Sequence, residues 1–170
     1  KESVETYLLG RKLYDRQLLA SFHLAFSQNA CNFSVPGSGK TSIVFAAFAF
    51  LKGLPVNNPK KVNKLLVVGP LSSFGPWEDE YFQCFGRIPD SIRLSGGMPK
   101  EDRDRHLLSI KPTEETPEMT LMSYQSMPYN LPSLIYYLQH PDNKVMVVLD
   151  EAHRIKNVEG GVWAPTALDI

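Results

Sequence analysis

The sequence predicts an α/β fold, a mostly parallel sheet with helices on both faces, in one domain spanning residues 1–170. Three observations predict it. Apolar runs such as LLVVG (65–69) and VMVVL (145–149) lack the in–out alternation of a half-exposed strand, so both of their faces must be covered. Those runs alternate with segments of helical periodicity, which is the βαβ pattern of a parallel sheet. A glycine-rich stretch, VPGSGKTS, stands between an apolar run and a helical pattern. A length of 170 residues allows one full core, and 43% apolar with 21% charged residues is ordinary globular composition. Lys plus Arg and Asp plus Glu both number 18, so bulk charge argues for neither a nucleic-acid nor a membrane partner, and any such contact must rest on a local patch.

The elements follow in order. Residues 4–28 carry Leu9, Leu13, Leu18, Phe22 and Phe26 near helical spacing, giving one helix or two short ones. ACNFSV (30–35) reads as a first short buried strand and leads into the glycine loop. TSIVFAAFAFLKG is apolar on nearly every side, which predicts a helix buried on most faces and stopped at Gly53. PVNNPKKVNK is a polar loop. LLVVG is a strand, FGPWEDEYFQCFG a helix, SIRLS a strand and MPKEDRDRHLLSI a charged amphipathic helix. KPTEETPE is an exposed loop. TLMSY is a fourth strand, PYNLPSLIYYLQH mostly helix, and VMVVLD a fifth strand. The longest apolar run, 43–51, is far short of the ~20 residues a bilayer span requires. Cys31 and Cys84 lack metal-ligand spacing and are expected as small buried hydrophobes in a reducing, intracellular compartment. The chain opens at Lys and stops at GGVWAPTALDI, as an excised piece of a longer protein would.

SVPGSGKT (34–41) fits the phosphate-loop pattern GxxxxGK followed by Ser or Thr, with Ser34 in the place of the first glycine. The physical logic is specific. Gly37 and Gly39 let backbone N–H groups curl around phosphate oxygens, and the helix that follows directs its dipole at the same charge. Pro36, Gly37, Ser38, Gly39, Lys40, Thr41 and Ser42 are therefore the expected ATP contacts. Lys40 would reach the outer phosphates, and the Thr41 hydroxyl would hold Mg²⁺. A chance Gly-x-Gly-Lys followed by Ser or Thr arises about once in a few hundred chains of this size, and here it is expected between strand and helix.

The run ending at residue 149 delivers Asp150 and Glu151 to the carboxyl edge of the sheet, where open α/β folds bind ligands. Hydrolysis of a terminal phosphate needs one acid to hold Mg²⁺ and one to orient and deprotonate water. Asp150 and Glu151 offer those roles in that order. A solvated acidic pair is the better reading of these two residues alone; with Lys40 and Thr41 it becomes the weaker one.

Asp150-Glu151-Ala152-His153 resembles the DEAH box of superfamily 2 helicases, and DEAHRIKN (150–157) resembles the Swi/Snf type of DNA translocase. GPLSSFGPWEDE, with Pro70, Trp77 and Glu80, is similar to that family's motif Ia. TLMSYQSM is similar to its Ser/Thr-Tyr motif. SVPGSGKT departs from the family's usual Gly-Leu-Gly-Lys-Thr ending and is closer to generic bacterial and viral helicases. The resemblance implies a RecA-like first motor lobe using ATP and Mg²⁺. Gln17 would contact adenine, His153 would relay the nucleotide state, and Ser72, Ser73, Gly96, Gly97 and Ser123 would face a nucleic-acid backbone, that of double-stranded DNA. It also implies a second RecA-like lobe beyond this chain, so that these residues alone would bind ATP and hydrolyse it poorly.

Other expectations are plainer. Lys60, Lys61 and Lys64 read as a solvated loop, and Arg103, Arg105 and His106 as charges cancelled by Glu101, Asp102 and Asp104. Trp77 reads as an anchor of its helix against the sheet. Rival functions are a strand-separating or restriction-type helicase, a small-molecule kinase, for which no acceptor site or lid is visible, and a nucleotide-gated binding module without turnover.

Overall fold

Among the described residues, four short strands form the sheet. The computed structural model describes residues 8, 10–27, 29–32, 37–109, 116–155 and 166–167. They pack as two compact units, residues 1–62 with 75–89 and residues 63–74 with 90–170.

The first unit is helical. Helix α1 (Asp15–Phe26) opens with a reciprocal cap in which the Tyr14 N–H donates to Gln17 Oε1 at 3.0 Å. Helix α2 (Lys40–Gly53) is buried from Ser42 to Ala49, as its all-round apolar sequence requires. Helix α3 (Phe74–Phe85) lies against it: Phe45 of α2 meets Trp77, Tyr81 and Phe85 edge-on at 5.3, 5.4 and 5.7 Å. Trp77 is thus buried as a helix anchor, but the ring it meets is Phe45 of α2 and not a residue of the sheet. Edge-to-face geometry aligns positive ring edges with negative faces and adds about 0.5–1.5 kcal/mol per pair to the burial itself.

The second unit holds the sheet. Strands β1 (Lys64–Gly69), β2 (Ser91–Leu94), β3 (Met119–Ser123) and β4 (Val145–Leu149) run in the order β2-β3-β1-β4, every neighbour parallel. The α/β class with a parallel sheet is therefore as expected. Leu66 and Val68 of β1 share a core with Met122 and Leu94 and with residues from the helices α4 (Lys100–Leu108), α5 (Ser126–Tyr129) and α6 (Leu131–Gln139). Leu65, Val67 and Leu121, which alternate with them, are equally removed from solvent. Tyr137 is buried on α6 and Tyr136 exposed, as core and edge of that helix.

Several expectations need correction. Ala30–Asn32 belong to no strand, and the rest of ACNFSV lies outside the described residues; Cys31 and Asn32 offer little apolar surface to bury, and Cys31 is exposed rather than buried. Cys84 is buried as expected. β4 ends the sheet and is half-exposed, because β1 is its one ladder partner among the described residues. The lysine cluster is structural. Lys61 Nζ donates to the carbonyls of Lys52 and Leu54 at 2.7 and 2.6 Å, closing the end of α2. Lys60 Nζ donates to the Phe26 carbonyl at 2.6 Å, and Lys64 Nζ to those of Thr116 and Pro117 at 2.6 and 2.9 Å. A cation at a helix C-terminus answers both the orphan carbonyls and the dipole.

Arg103 is the sharpest departure. It is buried, not cancelled by its acidic neighbours; its Nε donates to Asn130 Oδ1 at 2.7 Å. Asn130 in turn donates to Asp104 Oδ1 at 2.7 Å, where Ser133 also donates at 2.6 Å, and Lys100 pairs with Asp104 Oδ2 at 2.5 Å. Burial opposes the Asp104 charge, but the bonds from Lys100, Ser133 and Asn130 outweigh it and bring the carboxyl to about 2. A carboxylate held below its unfolded value near ~3.9 stabilises the fold fully above that pH and loses the contribution as pH falls through the folded value. Asp104→Asn is accordingly expected to lose stability less steeply than the natural chain between pH ~4 and pH ~2 in denaturant titrations. Parallel loss in both would show that the charge on Asp104 contributes nothing.

Candidate functional site

The glycine loop falls in the first unit. Gly37 and Gly39 have φ of 79° and 77°, the left-handed region that glycine enters without penalty. Gly39 is also crowded, since a Cβ there would sit 2.5 Å from Gln17 Nε2. Gly39 is the N-cap of α2 and no side chain caps that end, so the first N–H groups of a fourteen-residue helix face outward without a protein acceptor from a cap. The Ser38 Oγ is buried without a hydrogen-bond partner among the described residues. Lys40 is exposed and Thr41 half-buried at the same end. An uncapped helix start, a hydroxyl without a partner among the described residues and an adjacent exposed ammonium fit a bound phosphate chain. Pro36 and Ser34 lie outside the described residues.

Two residues assigned to nucleotide are otherwise engaged. Gln17 spends its carbonyl on the Tyr14 N–H, and its Nε2 donates to the Ser38 carbonyl at 2.8 Å. It therefore ties α1 to the glycine loop, and contact with a base would require that amide to turn. The Ser42 hydroxyl is buried and donates to Glu80, so it faces away from a phosphate. Glu80 is the hub here: Arg11 grips its two oxygens at 2.8 and 2.5 Å, and Cys84 donates to it. Burial resists the charge on Glu80, yet Arg11 and Ser42 hold its carboxyl below the usual range. Burial, then the charge and hydrogen bond of Glu80, pushes the Cys84 thiol up to about 12, which leaves it protonated and inert.

The carboxylates fall in the second unit. Because every strand is parallel, the C-terminal ends of β1, β2, β3 and β4 share one edge; Ser123 closes β3 there, and Ser72–Ser73, Gly96–Gly97 and Asp150 follow the other three ends. Gly69 makes the closest approach possible: a Cβ there would lie 3.1 Å from both the Asp150 Cβ and the Ser73 Oγ. The Asp150 N–H continues the ladder by donating to the Val68 carbonyl at 2.8 Å. On its other side the Tyr124 hydroxyl donates to the Asp150 carbonyl at 2.7 Å. Asp150 is thus fixed at both ends of its peptide. Glu151 then has φ of 53°, a left-handed geometry that costs a residue with a Cβ about 1–2 kcal/mol. The His153 Nδ1 lies 3.2 Å from Glu151 Oε2, and both side chains are exposed.

Among the nucleic-acid candidates, Ser72, Gly96 and Gly97 are exposed and Ser73 half-buried, with its hydroxyl donating to the Pro70 carbonyl at 2.9 Å. Ser123 is a correction. It is buried and hydrogen-bonded to Ser126 Oγ at 2.8 Å, and it accepts the Ser126 N–H, so it caps α5 instead of facing a ligand. Lys156 and Asn157 lie outside the described residues. Among those described, no group of three or more His, Cys, Asp or Glu could hold a metal. Mg²⁺ does not require such a group, since one or two carboxylates commonly hold it with phosphate and water completing the shell.

Sequence reasoning grouped Tyr124 with a motif but gave it no role. Burial and then the charges of Asp150 and Glu151 push its phenol well above the usual range, so it stays a donor at any working pH. Tyr124→Phe removes one hydrogen bond and leaves a half-buried carbonyl unmet, a cost of about 1–3 kcal/mol. In denaturant titrations Tyr124→Phe is expected to lose stability by that amount, and an unchanged midpoint would show that the Asp150 carbonyl does not depend on this hydroxyl.

Compared with models of known protein families the chain matches none, and no curated protein matches it significantly in sequence.

Proposed function

We propose that this chain is the ATP-binding motor lobe of a nucleic-acid-dependent ATPase, acting on double-stranded DNA. The observation that carries the reading is a pair of local arrangements with complementary chemistry. One is the uncapped start of α2 beneath Gly37-Ser38-Gly39; the other is the strained Asp150-Glu151 turn at the end of a parallel strand. Each arrangement is costly to the fold in itself, and each suits one half of a hydrolytic nucleotide site.

In this reading Lys40 and the α2 N–H groups hold the phosphates, and Thr41 and Asp150 are the protein ligands of Mg²⁺. The metal, when bound, neutralises charge that develops on the phosphate oxygens. Glu151 accepts a proton from the attacking water, and His153, beside it at 3.2 Å, senses whether that carboxylate is engaged. Ser72, Ser73, Gly96 and Gly97 are left to meet a nucleic-acid backbone, since hydroxyls and bare peptide N–H groups grip phosphates without reading bases. A second RecA-like lobe would supply the remaining charge stabilisation.

Lys40→Ala is expected to weaken ATP binding about 10- to 100-fold, the worth of a charge-assisted hydrogen bond. Glu151→Gln should keep ATP affinity and lower kcat by about 10² to 10⁴. Normal turnover in that variant would overturn the catalytic assignment. The deciding assay is ATP hydrolysis by the intact protein at low salt, with duplex DNA, single-stranded DNA or RNA added. Stimulation by duplex above single strands is the expected result. Stimulation by single strands alone would identify a strand-separating helicase instead, and binding without any stimulation a nucleotide-gated module.

A further inference from the structure

Arg103 donates in two directions, to an exposed turn and to a buried asparagine. Its Nη1 reaches the Ser95 carbonyl at 3.0 Å and also the Met98 carbonyl, while its Nε holds Asn130 Oδ1 at 2.7 Å. Both carbonyls of the turn are therefore drawn inward. The turn closes on itself through the Met98 N–H and the Ser95 carbonyl at 3.0 Å. Asn130 has no solvent exposure and is fixed in its turn by Asp104 and by the Lys100 carbonyl.

Two features of this arrangement have no internal explanation. A buried guanidinium is expensive to desolvate, and here its named acceptors are neutral; an aliphatic side chain would fill the same space at less cost. Gly96 and Gly97, the residues between the pinned carbonyls, need not be glycine for the sake of the fold. Neither has a positive φ, and a Cβ on Gly96 would meet nothing within 4 Å, and one on Gly97 only the Ser95 Oγ at 4.0 Å. Glycine at such a place costs about 0.5–1 kcal/mol in backbone entropy with no steric return. A backbone that is both stripped of side chains and held rigid is suited to close approach from outside. It follows directly on β2, at the edge shared with Ser73 and Asp150.

We infer that Arg103, held by Asn130 and Asp104, is a positioning residue that presents the bare Gly96–Gly97 backbone to a phosphodiester chain. This rests on the nucleic-acid reading above and adds to it how the grip is built. Arg103 does not touch the ligand; it acts through the turn. Lysine cannot replace it, since one ammonium cannot bridge Asn130 and two carbonyls in the plane a guanidinium spans.

The test uses the intact protein and a short DNA duplex of arbitrary sequence. In Arg103→Lys, amide exchange at residues 96–98 should quicken about tenfold, which reads positioning without any ligand. The duplex concentration giving half-maximal ATPase stimulation should rise about tenfold, with the maximal rate regained at saturating duplex. General damage to the fold would lower that maximum instead. Gly97→Val, whose side chain enters open space, should shift half-saturation in the same direction by crowding the approach. Should Arg103→Lys fail to fold, Asp104→Asn, which loosens Asn130 from the surface side, is expected to give the same two changes at smaller size. Exchange and half-saturation both unchanged in the Arg103 or Asp104 variant overturns the inference while the motor reading stands. A natural protein that no nucleic acid stimulates overturns the motor reading, and the role of the turn with it, whatever the exchange shows.

Discussion

Parallel pairing of β1 with both β3 and β4 is the constraint on which the second unit depends. In a parallel ladder each strand must return by a crossover, so all the strands end on the same edge. Several candidate residues of that unit follow such an end. Ser72 and Ser73 come after β1, the Gly96–Gly97 turn after β2, Tyr124 after β3, and Asp150 with Glu151 after β4. The register that aligns Val68 with Leu149 places the Val68 carbonyl where it can accept the Asp150 N–H. Burying the apolar runs therefore gathers the polar groups, and no separate interaction is needed to collect them.

Polar networks then fix the collected groups. Tyr124 holds the Asp150 peptide, Arg103 holds the carbonyls of residues 95 and 98, and Glu80 holds Arg11 and Ser42 beside the glycine loop. All three are at least partly buried, where an unmet group is costly and a satisfied one has few alternative positions. Apolar packing alone tolerates repacking and would leave these backbones less well defined.

The sequence made the strands legible because their composition speaks locally: LLVVG, SIRLS, TLMSY and VMVVL are short apolar or β-branched runs between turn residues, and all four are strands. ACNFSV had the same outline but only a fragment of its apolar surface, and Ala30–Asn32 belong to no strand. The glycine loop was legible because a backbone conformation forces a residue type, and both Gly37 and Gly39 prove to have positive φ. What the sequence hid were partnerships between distant residues. Nothing local says that Arg103 meets Asn130, that Lys64 meets Thr116, or that Ser42 and Gln17 are already engaged by Glu80 and Ser38. Charge counted along a helix cannot tell a buried guanidinium from a solvated one, since the difference lies in what packs across from it. Ser123 failed likewise: a serine at a strand end can cap the next helix as readily as it can meet a ligand.

Glu151 occupies a backbone geometry that a residue without a Cβ would adopt freely. Replacement by glycine there would relax the chain and at the same stroke delete the carboxylate assigned to water. Under the proposed role, a sturdier fold and retained turnover would pull against each other at this one codon, and a library screened for heat resistance alone would favour losing the carboxylate.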